Sequence, residues 1–337
     1  MLFRSARRWL VNSLRFAVSA QNIGSMTPIH KPVVIACAGP GLNASLEELV
    51  SGGIQRTAYA LWSLASAYRA VRHAGFQPDL ILSTDPGYWN GAHHDLSAEK
   101  SIPLAMPPGA YAPVQVMQDR TLIPLDTGLA FERVVLHSMG LQGYEVPACG
   151  SVAGTSLELA LSVTDGAVAL AGYDLAAYRL HDHARPYAFD IFDELAASRL
   201  APAVSGRSGR IFDAYPGAED EWRFSRAFSL YADSIGTRPS GRGRVFRVSA
   251  SPVKTPLVPL PKMSDIPGLA TPVMCSEPAG TGAGAVPFSL PSGWSAEKIV
   301  LSLKDRAIAA MERSIAGGLL PDNEESIVLL ALAGRSG

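Results

Sequence analysis

Val33-Val34-Ile35-Ala36-Cys37-Ala38-Gly39-Pro40-Gly41-Leu42-Asn43 is the stretch that decides the fold class. A short apolar run, rich in β-branched residues, ends in a Gly-Pro-Gly turn. Ser45 and Glu48 then have the spacing of a capping box, which predicts a helix starting at Ser45. A buried strand, a tight glycine turn and a helix N-terminus together favour an anion, because backbone N–H groups and the helix dipole both attract it. The turn falls short of the full G-x-G-x-x-G pattern, and no Lys-Ser/Thr pair makes it a P-loop. Taken alone, it reads equally as a plain tight turn.

Outward from this turn, short apolar runs alternate with helical stretches as far as Val248. Strands are expected at Val33–Ala38, Thr57–Leu61, Asp79–Ser83, Ile102–Ala105, Ala167–Ala171 and Arg244–Val248, with a short one at Arg133–Leu136. Helices are expected from Ser45, at Ser63–His73 with Gly75 as its stop, at Thr155–Val163 and at Glu221–Tyr231. In the last of these, Trp222, Ala227, Leu230 and Tyr231 are the expected core contacts. Ala201–Arg210 and Pro239–Gly243 read as loops. The rhythm predicts an α/β fold, Rossmann-like, with a mostly parallel sheet and flanking helices. Residues 1–30 form a basic helical lead-in, 31–250 the main domain, and 251–292 a Pro/Gly-rich extended segment. Residues 293–337 form a helical C-terminal extension, with helices at Ser295–Ala316 and Asn323–Ala333.

Composition narrows the function classes. The chain has 337 residues, 47% hydrophobic, with a net charge of −1. That charge argues against a nucleic-acid partner with a broad basic surface. Cys37, Cys149 and Cys275 lie far apart and form no CxxC pair, so a cytoplasmic setting is expected. Arg4, Arg7, Arg8 and Arg15 punctuate the first 20 residues. This amphipathic pattern interrupts any signal-peptide core, and no transmembrane segment is expected. Such a helix either docks on its own protein or touches an anionic membrane, and the first reading is preferred.

In an open parallel sheet, ligands bind beyond the carboxyl ends of the strands. Three loops are expected there: Ala38–Asn43 with Gly39, Pro40, Gly41 and Asn43; Ser83–Asn90 with Asp85; and Gly172–His183 with Asp174, Tyr178, His181 and His183. Gly150–Ser156, with Ser151 and Thr155, opens a helix as a second candidate cradle. Each has a plainer alternative. Asp85 before Pro86 can simply start a turn. Asp174 can tie down a neighbouring loop, and Gly150–Ser156 can be a capped helix start. No pair among His93, His94, His181 and His183 has helical i, i+4 spacing, so no metal site is expected.

Four segments together carry a family resemblance. Cys37-Ala38-Gly39-Pro40-Gly41-Leu42 resembles a G-x-G-P-S-L turn, and Gln77–Asp85 a "kPD…sxD" segment. Gly150–Thr155 resembles a "GSVgnT" helix start, and Ala171–Leu175 with His183-Ala184 a "GxDLa…tHa" signature. These motifs, in this order, are those of the family named for 6-hydroxymethylpterin diphosphokinase (MptE-like). It includes the bacterial motility accessory factors, implicated in transferring nonulosonic sugars to flagellin. The resemblance implies a sialyltransferase-like core. It implies nucleotide contacts at Gly39, Pro40, Gly41, Asn43, Asp85, Ser151 and Thr155, and catalytic roles for His183 and Asp174. His183 is the expected general base or acid, being of the residue type that titrates near neutrality. Cys37 stands at the family's first Gly, Gly41 at its Ser and Gly154 at its Asn.

Three functions stay open. The leading one is a glycosyltransferase of the motility accessory type, using a CMP-sugar donor and a protein acceptor such as flagellin, with no tightly bound cofactor. The second is an ATP- and Mg²⁺-dependent diphosphokinase, for which Asp85 and Asp174 are the available carboxylates. The third is a catalytically degenerate nucleotide-binding scaffold.

Overall fold

The computed structural model describes residues 2–94, 100–147, 149–235, 242–269 and 286–288, with isolated positions between 295 and 309. The strands are β1 Asn22–Ser25, β2 Val33–Ala36, β3 Ala60–Leu64, β4 Leu80–Leu82, β5 Leu104–Met106, β6 Thr121–Asp126 and β7 Tyr144–Glu145. They continue with β8 Val168–Ala171, β9 Ala177–Tyr178, β10 Gly217–Glu219, β11 Trp222–Phe224, β12 Val245–Val248, β13 Val258–Leu260 and β14 Val286–Phe288. The α-helices are α1 Leu2–Ser19, α2 Leu42–Ser51, α3 Tyr68–His73, α4 Val114–Asp119, α5 Ala130–Ser138, α6 Val152–Val163, α7 Asp190–Ala196, α8 Ala203–Ala214 and α9 Arg226–Ser234.

The main sheet has the order β13-β12-β8-β2-β3-β4-β5-β6-β1-β14, with β7 paired to β6. Every neighbour pair is parallel except β1 with β14. This is the expected mostly parallel α/β sheet with flanking helices. Strands β2, β3, β4, β5 and β8 are buried along their whole length, as parallel strands covered on both faces must be. From β2 the chain steps outward to β6, then returns to the other side of β2 through β8. The sheet therefore reverses direction between β2 and β8, the place where such folds open a crevice. Because the strands are parallel, the loops after β2, β4 and β8 share one edge. A small antiparallel sheet, β10-β11-β9, hangs from the loop after β8.

One core gathers around β2, β3 and β8 with α2 and α6. A second gathers around β5 and β6 with α1, α4 and α5. The lead-in helix α1 docks on its own protein, as preferred from sequence. Phe16 and Ala17 are fully buried, and Phe16 alone contributes about 2–3 kcal/mol of apolar burial.

Several local expectations change. Helix α2 starts at Leu42 with Gly41 as N-cap, not at Ser45. Ser45 instead donates back to the Gly41 carbonyl at 3.3 Å, and Glu48 Oε1 accepts from the Met263 amide at 3.0 Å. The second strand is Ala60–Leu64, not Thr57–Leu61, because Asp79 Oδ2 accepts the Leu61 amide and anchors the strand's start. The following helix begins only at Tyr68, after a 3-10 turn at Ala65–Ala67. Arg133–Leu136 is helical, inside α5, since Arg133 Nε pairs with Asp126 at 2.9 Å and draws the segment back over β6. Strand β6 was not foreseen, because Pro124 argues against a central strand.

Ala201–Arg210, expected as a loop, lies largely within α8. Ion pairs from Arg207 and Arg210 to Asp190 and Asp193 on α7 override the glycines. Trp222 lies in β11 rather than a helix, and α9 starts after the Ser225 cap. Ala227 and Leu230 face solvent, Leu230 at 64% exposure, and are not core contacts. The 251–292 stretch supplies β13, and just after it Met263, Ile266 and Leu269 enter the first core. The described positions within Ser295–Ala316 include helical ones at 298, 301, 302, 305 and 309. Asn323–Ala333 and most of Pro239–Gly243 lie outside the described residues.

Candidate functional site

The turn after β2 sits at the reversal point and is anchored from beneath. Gly39 N–H donates to the Gly172 carbonyl at 2.9 Å, and Gly41 N–H to Asp174 Oδ2 at 2.6 Å. A Cβ on Gly39 would lie 2.4 Å from the Gly172 oxygen, so glycine lets the two loops touch. Asp174 is buried, and the Ser249 hydroxyl donates to its Oδ1. Below it, buried Arg247 donates Nε to the Tyr173 carbonyl at 2.8 Å and Nη2 to the Asp174 carbonyl at 3.3 Å. Burial pushes the Asp174 carboxyl up, while Ser249, the Gly41 amide and Arg247 pull it down; the net shift is upward. Both amides expected to face a phosphate are therefore given to the protein's own acceptors. An anion at this rim would meet the first turn of α2 instead, where helix geometry leaves N–H groups without intrahelical acceptors.

A second set of bonds ties the loop after β8 to the same turn. The Ala184 amide donates to the Ala38 carbonyl at 2.8 Å. Asn43 Nδ2 donates to the Arg185 carbonyl at 2.6 Å, and the Arg185 amide donates to Asn43 Oδ1 at 2.9 Å. These bonds bring His183 beside the turn. Its Nδ1 lies 3.0 Å from Asp182 Oδ1, a close contact whose angle falls short of an aligned hydrogen bond. Its ring stacks on Tyr187 at 4.0 Å between centroids and 10° between planes. Burial raises the Asp182 carboxyl, but His183 and Arg185 more than offset this and hold it below its ordinary value. Arg185 pairs with Asp190, and Arg207 reaches the same carboxylate at 3.6 Å.

The loop after β4 closes the other side. Asp85 is exposed, and its Oδ1 accepts the Gly87 amide at 2.7 Å, the geometry of a turn. Asn90 braces the loop through Ser83 Oγ at 2.7 Å and the Tyr111 carbonyl at 2.8 Å. From α1, Asn12 donates to the Pro86 and Gly109 carbonyls, both at 3.0 Å. Rings then link this loop to the loop after β8. His93 lies 5.6 Å from Tyr187 and 5.2 Å from Phe189, and Trp89 lies 6.4 Å from Phe189. Burial, with His183 nearby, lowers the His93 pKa to about 4, so its ring stays neutral.

Ser151 caps α6, its Oγ accepting the Gly154 amide at 3.1 Å. Thr155 is buried and donates back to the Ser151 carbonyl at 3.3 Å. A Cβ on Gly154 would stand 2.6 Å from Cys149 Cβ, so tight packing explains the missing Asn. Among the described residues, no group of three His, Cys, Asp or Glu side chains is placed to hold a metal ion, and no helix is long and apolar enough to cross a membrane.

Of the expected residues, Gly39, Gly41, Asn43, Asp174 and His183 are brought together, with Pro40 inside the turn. Asp85 lies on the neighbouring loop, and Ser151 and Thr155 serve the start of α6. Sequence reading missed Asp182, Tyr187, Arg247 and Ser249. A charge inside the apolar run Val245–Val248 was the available signal for Arg247.

An uncharacterized protein of Treponema pallidum (strain Nichols) is 27% identical over 201 residues, covering 59% of this chain and 44% of that protein. The structure of MAf glycosyltransferase from Magnetospirillum magneticum AMB-1 is similar in fold, with a TM-score of 0.50 at 14% identity. That match covers 99% of this chain and 51% of the other. The chain thus spans about half the length of each of these relatives. Residues 8–179 match the family model described as 6-hydroxymethylpterin diphosphokinase MptE-like. With its turn, reversal point and third rim loop all inside or bordering that match, the chain belongs to the 6-hydroxymethylpterin diphosphokinase MptE-like family.

Proposed function

We propose that this protein is a nucleotide-sugar-dependent glycosyltransferase of the motility accessory type. It takes a nonulosonic sugar from a CMP donor and passes it to a protein acceptor such as flagellin. The observation that carries this reading is the double clamp of Ala38 and Asn43 on Ala184 and Arg185. It holds the Asp182–His183 pair over the reversal point of a parallel sheet, where nucleotides bind in such folds. Family membership and the likeness in fold support it.

In this reading the donor phosphate lies at the first turn of α2. Asp182 faces His183 Nδ1, which leaves Nε2 to take the acceptor's hydroxyl proton. The acceptor oxygen bonds to the anomeric carbon as the bond from that carbon to the phosphate oxygen breaks, and CMP leaves. The nucleotide is a substrate and no resident cofactor is invoked. The cysteines Cys37 and Cys149 are unbridged thiols, which fits action in the cytoplasm.

Calorimetric titration with CMP, CTP and ATP plus Mg²⁺ tests the reading. CMP and CTP are expected to bind in preference to ATP. Tight ATP–Mg²⁺ binding without a CMP response would overturn it in favour of diphosphoryl transfer.

A further inference from the structure

Arg8, Val11, Arg15 and Val18 are all exposed, and their 3-4-3 spacing lines them along the outward face of α1. The opposite face, with Asn12, Phe16 and Ala17, is buried in the protein. Helix α1 contains four arginines and no acidic residue, and the first acidic residue of the chain is Glu47. The exposed stripe continues onto the rim. The Arg15 guanidinium lies 5.7 Å from the centre of the Tyr111 ring. Tyr111 lies 5.3 Å from Tyr88, and Tyr88 5.8 Å from Trp89. Tyr88 is 69% exposed and Trp89 62%. Asp85 is an acidic residue on the same loop as Tyr88 and Trp89, and its carboxylate accepts the Gly87 amide.

Arginines in line with valines, leading to an exposed tyrosine and tryptophan, suit the headgroup zone of a bilayer. The cations are drawn to anionic headgroups, and the amphipathic rings settle where apolar and wet regions meet. We propose that this face docks on an anionic lipid surface, with α1 lying along it and Trp89 entering the headgroup zone. Charge complementarity selects anionic over neutral lipid. The exposed rings select a bilayer over a soluble polyanion such as heparin, which offers nothing apolar to bury them. Trp89 also touches Phe189 and Phe192, so the candidate site would open beside the membrane.

The full chain is to be sedimented with vesicles of phosphatidylcholine alone and of phosphatidylcholine mixed with phosphatidylglycerol. Binding is expected to the mixed vesicles at low salt and to be lost at high salt. Replacing Arg8 and Arg15 together, Arg8→Gln with Arg15→Gln, is expected to weaken it about 30-fold. Tryptophan emission should be quenched by lipids with brominated acyl chains, and Trp89→Phe should remove most of that quenching. The proposal is overturned if the protein ignores mixed vesicles at low salt, or if the folded double variant binds them as the wild type does. Tight binding to heparin without vesicle binding would overturn it in favour of a soluble polyanion.

Discussion

Asn43 and Arg185 stand 142 residues apart and exchange two hydrogen bonds, one in each direction, at 2.6 and 2.9 Å. The amide side chain on the first turn of α2 thus reads the backbone of the loop that carries His183. Asn43→Ala removes both bonds and is expected to cost about 2 kcal/mol. Urea unfolding measures the loss, and faster exchange of the Arg185 amide locates it.

The contact of the two glycine-bearing loops leaves no room for a side chain. Gly39→Ala puts a methyl group 2.4 Å from the Gly172 carbonyl oxygen, which is backbone and cannot swing away. The expected cost is about 1–3 kcal/mol, as for other overpacked sites. Thermal denaturation beside wild type checks it, and a variant of unchanged stability would contradict the close packing described.

His183 and Tyr187 are expected to separate chemistry from support. His183→Ala should lower transfer by about 10²–10⁴-fold while leaving CMP affinity nearly unchanged. Tyr187→Phe keeps the stacked ring and should retain most activity, whereas Tyr187→Ala should lose it. Transfer followed by mass spectrometry of the acceptor, with CMP titration alongside, distinguishes these outcomes.

Glu132 supplies a pH test of stability. It is buried, and burial raises its pKa from 4.5 to about 7 despite hydrogen bonds from Thr127. The folded state therefore holds a proton that the unfolded chain releases at lower pH. Stability from this group is present below about pH 4.5 and is lost as pH rises towards about 7, by about 3 kcal/mol in all. Glu132→Gln should flatten that slope. Urea unfolding at a series of pH values between these limits measures it.

Strands β2, β4, β8 and β12 and the three rim loops were legible in the sequence, because buried parallel strands read as apolar runs, ended by glycine or aspartate after β2, β4 and β8. Other elements were not. Strand β6 contains Pro124, and α8 contains Gly206 and Gly209, so local propensity pointed away from the structure in both. What decided them was tertiary: pairing of β6 with β5 and β1, and ion pairs from Arg207 and Arg210 to α7. Ser249 and Arg247 escaped notice because each acts on a loop more than 70 residues away.

The sequence by itself determined a parallel α/β sheet, a glycine turn at the end of β2 and a rim that gathers Asn43, Asp174 and His183. Tertiary structure decided what the turn's amides do. Glycine permits a close approach but names no partner. Asp174, arriving beneath the turn from the neighbouring strand, takes the Gly41 N–H, and Gly172 takes that of Gly39. Conformational permission is written locally, whereas the hydrogen-bond acceptor lies 133 residues further along the chain, in the loop after β8, which only the folded sheet sets alongside.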